Sequence, residues 1–172
     1  MAIDQNVLRN ASTRLSSVDV LFEKRAAHKS SAFLCHSHKD EELVKGLIVI
    51  FKEAGVDLYI DWQDHSMPEQ PNAETARKIQ ERIKSANIFL FLATANSKTS
   101  RWCPWEIGFA DATRKGIYII PTSDSTGTYG NEYLQLYPNI DKGIFETNRM
   151  PGYFLTKPGG APGYAISNYN LV

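Results

Sequence analysis

Cysteine is scarce in this 172-residue chain, with only Cys35 and Cys103. Two thiols make no disulfide framework, and a reducing cytoplasm is the expected setting. A charge imbalance is also lacking. Nineteen basic residues meet nineteen acidic ones, so no overall field draws the chain to nucleic acid or to an anionic membrane. The longest apolar run, Ile88 to Ala93, is far too short to span a bilayer. The N-terminal stretch MAIDQNVLRNASTR has an acid and polar groups where a secretory leader has its apolar region, so no signal peptide is expected. Internal repeats and long low-complexity tracts are missing too. What is present is an ordinary globular composition, 42% hydrophobic and 22% charged. The length suits one domain with an extra element or a tail.

Residues 1–29 read as a helical extension. Val7, Leu8, Ala11, Leu15 and Val18 recur at helical intervals, enough for one or two helices that dock on the domain or mediate self-association. From residue 30 strands and helices alternate. Residues 31–36 form a short buried strand that runs into Ser37 and Asp40, a serine with an acid three residues on, which marks a helix start. The helix that follows ends at Gly55. Residues 56–60 make a second strand, and a polar, proline-bearing loop covers 61–73. Asn72 caps the next helix. Residues 87–93 are apolar throughout, as a central parallel strand buried on both faces requires. A polar loop at 94–100 lets Ser97 or Ser100 cap a helix with Pro104 in its first turn. Residues 117–120 form a fourth strand, stopped by Pro121. This βαβαβαβ order predicts a parallel sheet with helices on both faces. Beyond Pro121 the pattern weakens to a fifth, edge strand at 143–145 and a glycine-, proline- and tyrosine-rich tail at 147–172 packed on the domain. The domain proper is placed at 30–146.

Ligands of open parallel sheets bind beyond the carboxyl ends of the strands. Three of the four histidines, all three tryptophans, both cysteines and Glu106 fall in or beside those segments. The stretch SRWCPWEIGF, residues 100–109, sets Glu106 one helical turn after Trp102 on one face. A single acid held against indole is costly unless chemistry uses it. O-glycoside cleavage generally requires two carboxyls, because the leaving alkoxide must be protonated. Nicotinamide leaves a ribose as a neutral base, so one anion beside the developing oxocarbenium ion suffices. Trp62 or Trp102 would offer a flat wall for the base or ring.

These residues resemble the Toll/interleukin-1 receptor (TIR) domain family. Phe33-Leu-Cys-His-Ser-His-Lys-Asp40 is similar to the family's first box, and Leu58-Tyr-Ile-Asp-Trp62 to its second strand and the start of the following loop. Ile83-Lys-Ser-Ala-Asn-Ile88 and Ser100-Arg-Trp-Cys-Pro-Trp-Glu106 match later segments, the last resembling an S-x-W-C-x-x-E box. The resemblance covers roughly residues 30–121, extending toward 146. It implies a flavodoxin-like three-layer α/β sandwich with about five strands. It also implies cleavage of NAD+ as substrate, without a cofactor, to nicotinamide and a linear, cyclic or conjugated ADP-ribose. Glu106 maps onto the catalytic glutamate and Trp102 onto the tryptophan before it. Bacterial members act in antiphage defence, which implies self-association through TIR surfaces and a separate effector that senses the product. The chain departs from the family at Cys35, where serine is frequent, and at Met67-Pro68-Glu69, where the loop usually carries glycine. Two other readings are a non-enzymatic TIR assembly module and an enzyme resembling nucleoside deoxyribosyltransferases.

His36, Ser37, His38, Trp62, Trp102 and Cys103 form the expected substrate-binding set around catalytic Glu106. Each has a structural alternative. Ser37 would be only a helix cap between two polar neighbours. Trp102 would pack beneath the site, Trp62 would serve assembly, and Cys103 would be a half-buried helix cysteine. Cys35, His36 and His38, with Cys103, raise the question of zinc. Adjacent strand residues point to opposite faces, so convergence fails and no metal is expected.

Overall fold

The computed structural model describes residues 1–15, 31–54, 59–61, 72–113, 115–131, 136–158 and 163–166. Strand β4 (Ile88–Ala93) is buried at every position, which suits only the middle of a sheet covered on both faces. Strands β2 (Ser31–Cys35) and β5 (Gly116–Asp124) flank it in parallel, with Cys35 and Ile119 both opposite Phe91. Strand β3 (Tyr59–Asp61) adds a parallel neighbour beyond β2.

Side chains alternate across this sheet and divide the core in two. Leu34, Leu90, Leu92 and Ile120 join one cluster with Leu8 of α1 (Gln5–Ser12) and Leu47 and Ile50 of α2 (Glu41–Glu53). Phe33, Cys35, Phe89, Phe91 and Ile119 join the other with Ile79 and Ile83 of α3 (Ala73–Ser85) and Cys103 and Ile107 of α5 (Cys103–Ala112). The result is the expected α/β sandwich, helices on both faces of a largely parallel sheet.

The sheet is larger than the five strands expected. Two-residue β1 (Ile3–Asp4) runs parallel to the far end of β5, and β6 (Gly127–Tyr129) returns antiparallel to it. β7 (Asn139–Ile144) pairs with β5 in parallel at Ile119. It is not an edge strand, because β8 (Pro151–Thr156) and then β9 (Tyr164–Ala165) continue the sheet antiparallel. The segment read as a tail therefore contributes two strands. Glycines that accommodate aromatic rings obscure the strand pattern of β7 and β8. A Cβ on Gly143 would meet the ring of Phe154, and one on Gly152 the ring of Phe145. Those rings pack with centroids 5.0 Å apart.

Pro121 does not stop β5, which continues to Asp124. Proline removes a donor from a sheet, but it stands opposite Ala93, the last residue of β4. The hydroxyl of Thr122 donates to the Ala93 carbonyl. Gln5 Nε2 then donates to Thr122 Oγ1 at 3.1 Å, which ties the N-terminal segment to the same corner.

That segment is part of the core. The Asp4 carboxylate caps α1 by accepting from Asn6 N–H at 2.7 Å. Ile3, Leu8 and Ala11 are fully buried. Helix α1 lies so close to α2 that a Cβ on Gly46 would collide with the Leu8 carbonyl. Any second helix at 16–30, the Gly55 helix end and the loop at 62–71 lie outside the described residues.

Gly46→Ala should force α1 off α2 and destabilise the fold by about 1–3 kcal/mol, the usual cost of overpacking. Thermal melting checks this, and an unchanged midpoint would contradict the close α1–α2 contact.

Candidate active site

The strand order turns around at β2 and β4. The chain passes from β2 outward to β3, then back across to β4. A crevice therefore opens at the carboxyl ends of β2 and β4, where such sheets place ligands. Two turns line it, and one buried acid ties them together. Asp40 is 3% exposed and accepts from Thr94 Oγ1 and from Asn96 Nδ2, both at 2.6 Å.

Local sequence explains each turn. After β2, Ser37 caps a 3₁₀ turn, His38–Asp40, that leads into α2. Its hydroxyl accepts from Lys39 N–H at 3.4 Å and its carbonyl from Asp40 N–H at 2.8 Å. After β4, the stretch read as a loop is a short helix, α4 (Ala95–Thr99), held by a reciprocal capping box between Thr94 and Ser97. Ser100 then accepts from the N–H groups of Trp102 and Cys103 at 3.2 and 3.3 Å. Neither serine proposed as a cap occupies the N-cap of α5, which is Trp102: Ser97 belongs to α4, and Ser100 bonds the two amides that lead into α5. Pro104 sits in the first turn of α5 as expected.

This arrangement brings Glu106 into the sheet edge. The residue is 8% exposed. One of its carboxylate oxygens, Cys35 Sγ from the end of β2 and Cys103 Sγ from the start of α5 all lie within 4.8 Å of one another. Burial pushes the Glu106 carboxyl up from 4.5 to about 7, while a hydrogen bond from Cys35 acts in the opposite direction. Burial also raises the Cys35 thiol well above its ordinary value. The Cys103 thiol is lowered, chiefly by the Cys35 thiol beside it, with burial opposing. Cys35 also approaches the Cys103 carbonyl at 4.0 Å.

Trp102 is half-buried and packs edge-on against the exposed Trp105, with centroids 5.5 Å apart. Trp105 stacks on Phe109 at 6.0 Å, and Lys84 Nζ lies 5.6 Å from the centre of that ring. His36 turns back on its own strand, its Nδ1 2.9 Å from the Leu34 carbonyl. Burial lowers its pKa. Ser37 is buried and committed to capping, whereas His38 and Lys39 are exposed. Cys103 is 1% exposed, deeper than a half-buried helix cysteine. Trp62 lies outside the described residues. On the α1 side of the same edge, Gln5, Arg9, Lys39, Asp40, Asn96 and Asp124 help to line a polar cavity of about 190 Å³.

Two features escaped the sequence reading. Asp40 looked like a helix-start acid, and its pairing with Thr94 and Asn96 has no local signal. Cys35 looked like a family departure, and its contact with Glu106 depends on tertiary packing of α5 against β2.

A family model for the TIR domain matches residues 32–140, more than half of the chain. A Bacillus cereus (strain MSX-D12) protein named "Probable 3' cyclic ADP-D-ribose synthase ThsB'" is 34% identical over 116 residues, 64% of this chain and 60% of that protein. A Cytobacillus dafuensis protein named "Putative cyclic ADP-D-ribose synthase TIR2" is 28% identical over 95 residues, 54% of this chain and 25% of that protein. The chain thus spans less than two thirds of the length of either relative. Among the described residues, no helix is long and apolar enough to cross a membrane.

The raised Glu106 pKa makes a signed prediction. The folded value, about 7, exceeds the ordinary 4.5, so ionising this group in place costs stability. The penalty is absent below the lower value, grows between the two, and levels off above the higher one at roughly 3 kcal/mol. Glu106→Gln should therefore melt above the parent at about pH 8, with the gap closing as pH falls below about 5. Melting curves across this range check it, and a gap independent of pH would contradict the assignment.

Proposed function

The chain belongs to the TIR domain family, and from that premise we propose that it cleaves the nicotinamide–ribose bond of NAD+. The products are nicotinamide and ADP-ribose in a linear, cyclic or conjugated form. The observation that carries this reading is Glu106, a carboxylate buried at the strand-end crevice and the one acid of its cluster among the described residues. The names of the two relatives, both cyclic ADP-D-ribose synthases, support the same chemistry.

In this reading the nicotinamide riboside end of NAD+ lies over α5, with C1′ beside the Glu106 carboxylate. The C1′–N bond breaks, and its electron pair leaves with nicotinamide as a neutral base. Positive charge develops on the ribose ring, where the carboxylate stabilises it electrostatically and accepts from ribose hydroxyls. Little water surrounds Glu106, so this attraction is stronger than at an open surface. A proton on Glu106 would remove it, and the approaching pyridinium favours the charged form. Water, or a nucleophile of the same dinucleotide, then attacks C1′ to give the linear or cyclic product.

Trp102 holds the first turn of α5 and offers its exposed part to the base. Cys103, buried against Glu106, positions the carboxylate and lies out of reach of substrate. The adenosine diphosphate end crosses the turn after β2. The side chains of His38 and Lys39 are the donors there, because Ser37 already occupies the Lys39 and Asp40 amides. The reading extends to antiphage signalling through self-assembly and a separate effector chain.

Glu106→Gln and Glu106→Ala should each lower nicotinamide release from NAD+ by at least about 10²-fold, as loss of a transition-state electrostatic partner does. The assay follows nicotinamide by chromatography at high protein concentration, so that any self-association needed for activity is satisfied. Melting curves verify that the variants fold. Undiminished release by a folded variant would sink the proposal.

A further inference from the structure

We propose that Cys35 Sγ, Cys103 Sγ and a Glu106 carboxylate oxygen form a binding site for one thiophilic divalent cation of the zinc type, and that the bound cation withdraws the carboxylate from substrate. The site stands on geometry alone. Only its effect on catalysis rests on the NAD+ reading.

The spacing fits. Zinc–sulfur bonds of about 2.3 Å and zinc–oxygen bonds of about 2.0 Å in a tetrahedron put ligand atoms about 3.5–3.8 Å apart. The three atoms already lie within 4.8 Å of one another. Closing onto a cation therefore takes about 1 Å of side-chain movement. The backbone supplies the convergence. Cys103 and Glu106 are three residues apart on α5 and share one face. Cys35 faces that helix from the end of β2.

The donor set selects the metal class. Two thiolates and a carboxylate favour zinc and its heavier congener cadmium, whereas magnesium and calcium favour oxygen sets. Both cysteines are 1% exposed and Glu106 is 8% exposed, so the glutamate is the end nearest solvent. Entry is from that side, and a water completes the fourth position there, as in open zinc sites. Binding releases the thiol protons to solvent.

This set differs from the cysteine–histidine set weighed in the sequence. His36 does turn away, toward the Leu34 carbonyl. Glu106 is the ligand whose meeting with Cys35 no local spacing reveals.

The test is a cadmium titration of the reduced full-length chain, followed by the ultraviolet thiolate-to-cadmium charge-transfer band. Cys35 and Cys103 are the only cysteines, so the band reports on this pair alone. We expect saturation at one cadmium per chain and a rise in melting temperature, since the cation binds the folded state. Glu106→Gln and Cys103→Ala should each weaken binding by at least about tenfold. No band at stoichiometric cadmium overturns the site, as does unchanged affinity in both variants. Should Cys103→Ala fail to fold, the parent titration and Glu106→Gln still decide. Zinc should also suppress nicotinamide release, reversibly by chelator. A bound cation that leaves release unchanged overturns the inhibitory role. A chain that never cleaves NAD+ refutes the proposed function and leaves the cadmium result to judge the site by itself.

Discussion

The enclosure of the Glu106 carboxyl, between the last residue of β2 and the first turn of α5, is the constraint on which the site depends. An acid in that place is unfavourable for folding and favourable for chemistry, for one physical reason. Low local polarity raises the cost of the anion when nothing faces it. The same low polarity increases the anion's attraction to a cationic ring. Cys35 and Cys103 are the neighbours that reconcile the two. They are small, largely apolar groups with weak donors, so they enclose the carboxyl without neutralising it as an arginine or lysine would.

Holding that geometry falls to a few buried polar contacts. Asp40 bridges the turns after β2 and β4 through Thr94 and Asn96. Charge-assisted, buried hydrogen bonds of this kind are stronger than neutral ones and costly to leave half-made. Ser100 fixes the start of α5 and thereby the height of Glu106 above the sheet. The ion pairs Lys45–Glu41 and Arg77–Glu81 lie on exposed helix faces and contribute little by comparison. The N-terminal segment reaches the same edge from the other side. Gln5 contacts Thr122, which in turn holds the Ala93 carbonyl where β4 ends.

Much of this was legible in the residues. The uniform apolarity of β4, the Asn72 and Ser37 caps and the position of Pro104 each follow from local rules. So does the placement of Glu106 beyond a strand end. The features that were not legible are non-local. Strands β7 and β8 carry glycines set against the rings of Phe154 and Phe145, which breaks the alternation that marks a strand. Pro121 seemed to end β5 because the compensating donor, the Thr122 hydroxyl, acts across to another strand. The Cys35–Cys103–Glu106 cluster joins residues 68 or more positions apart on one side, and no spacing rule reports such a meeting.

Carbon-detected NMR of protein labelled at the glutamate side-chain carboxyl tests most directly whether the Glu106 carboxyl is enclosed in the folded chain. One carboxyl carbon should titrate near pH 7, about the value burial gives Glu106, and that signal should vanish in Glu106→Gln. If every glutamate titrates in the ordinary range of about 4–5, the carboxyl is not enclosed and the account fails.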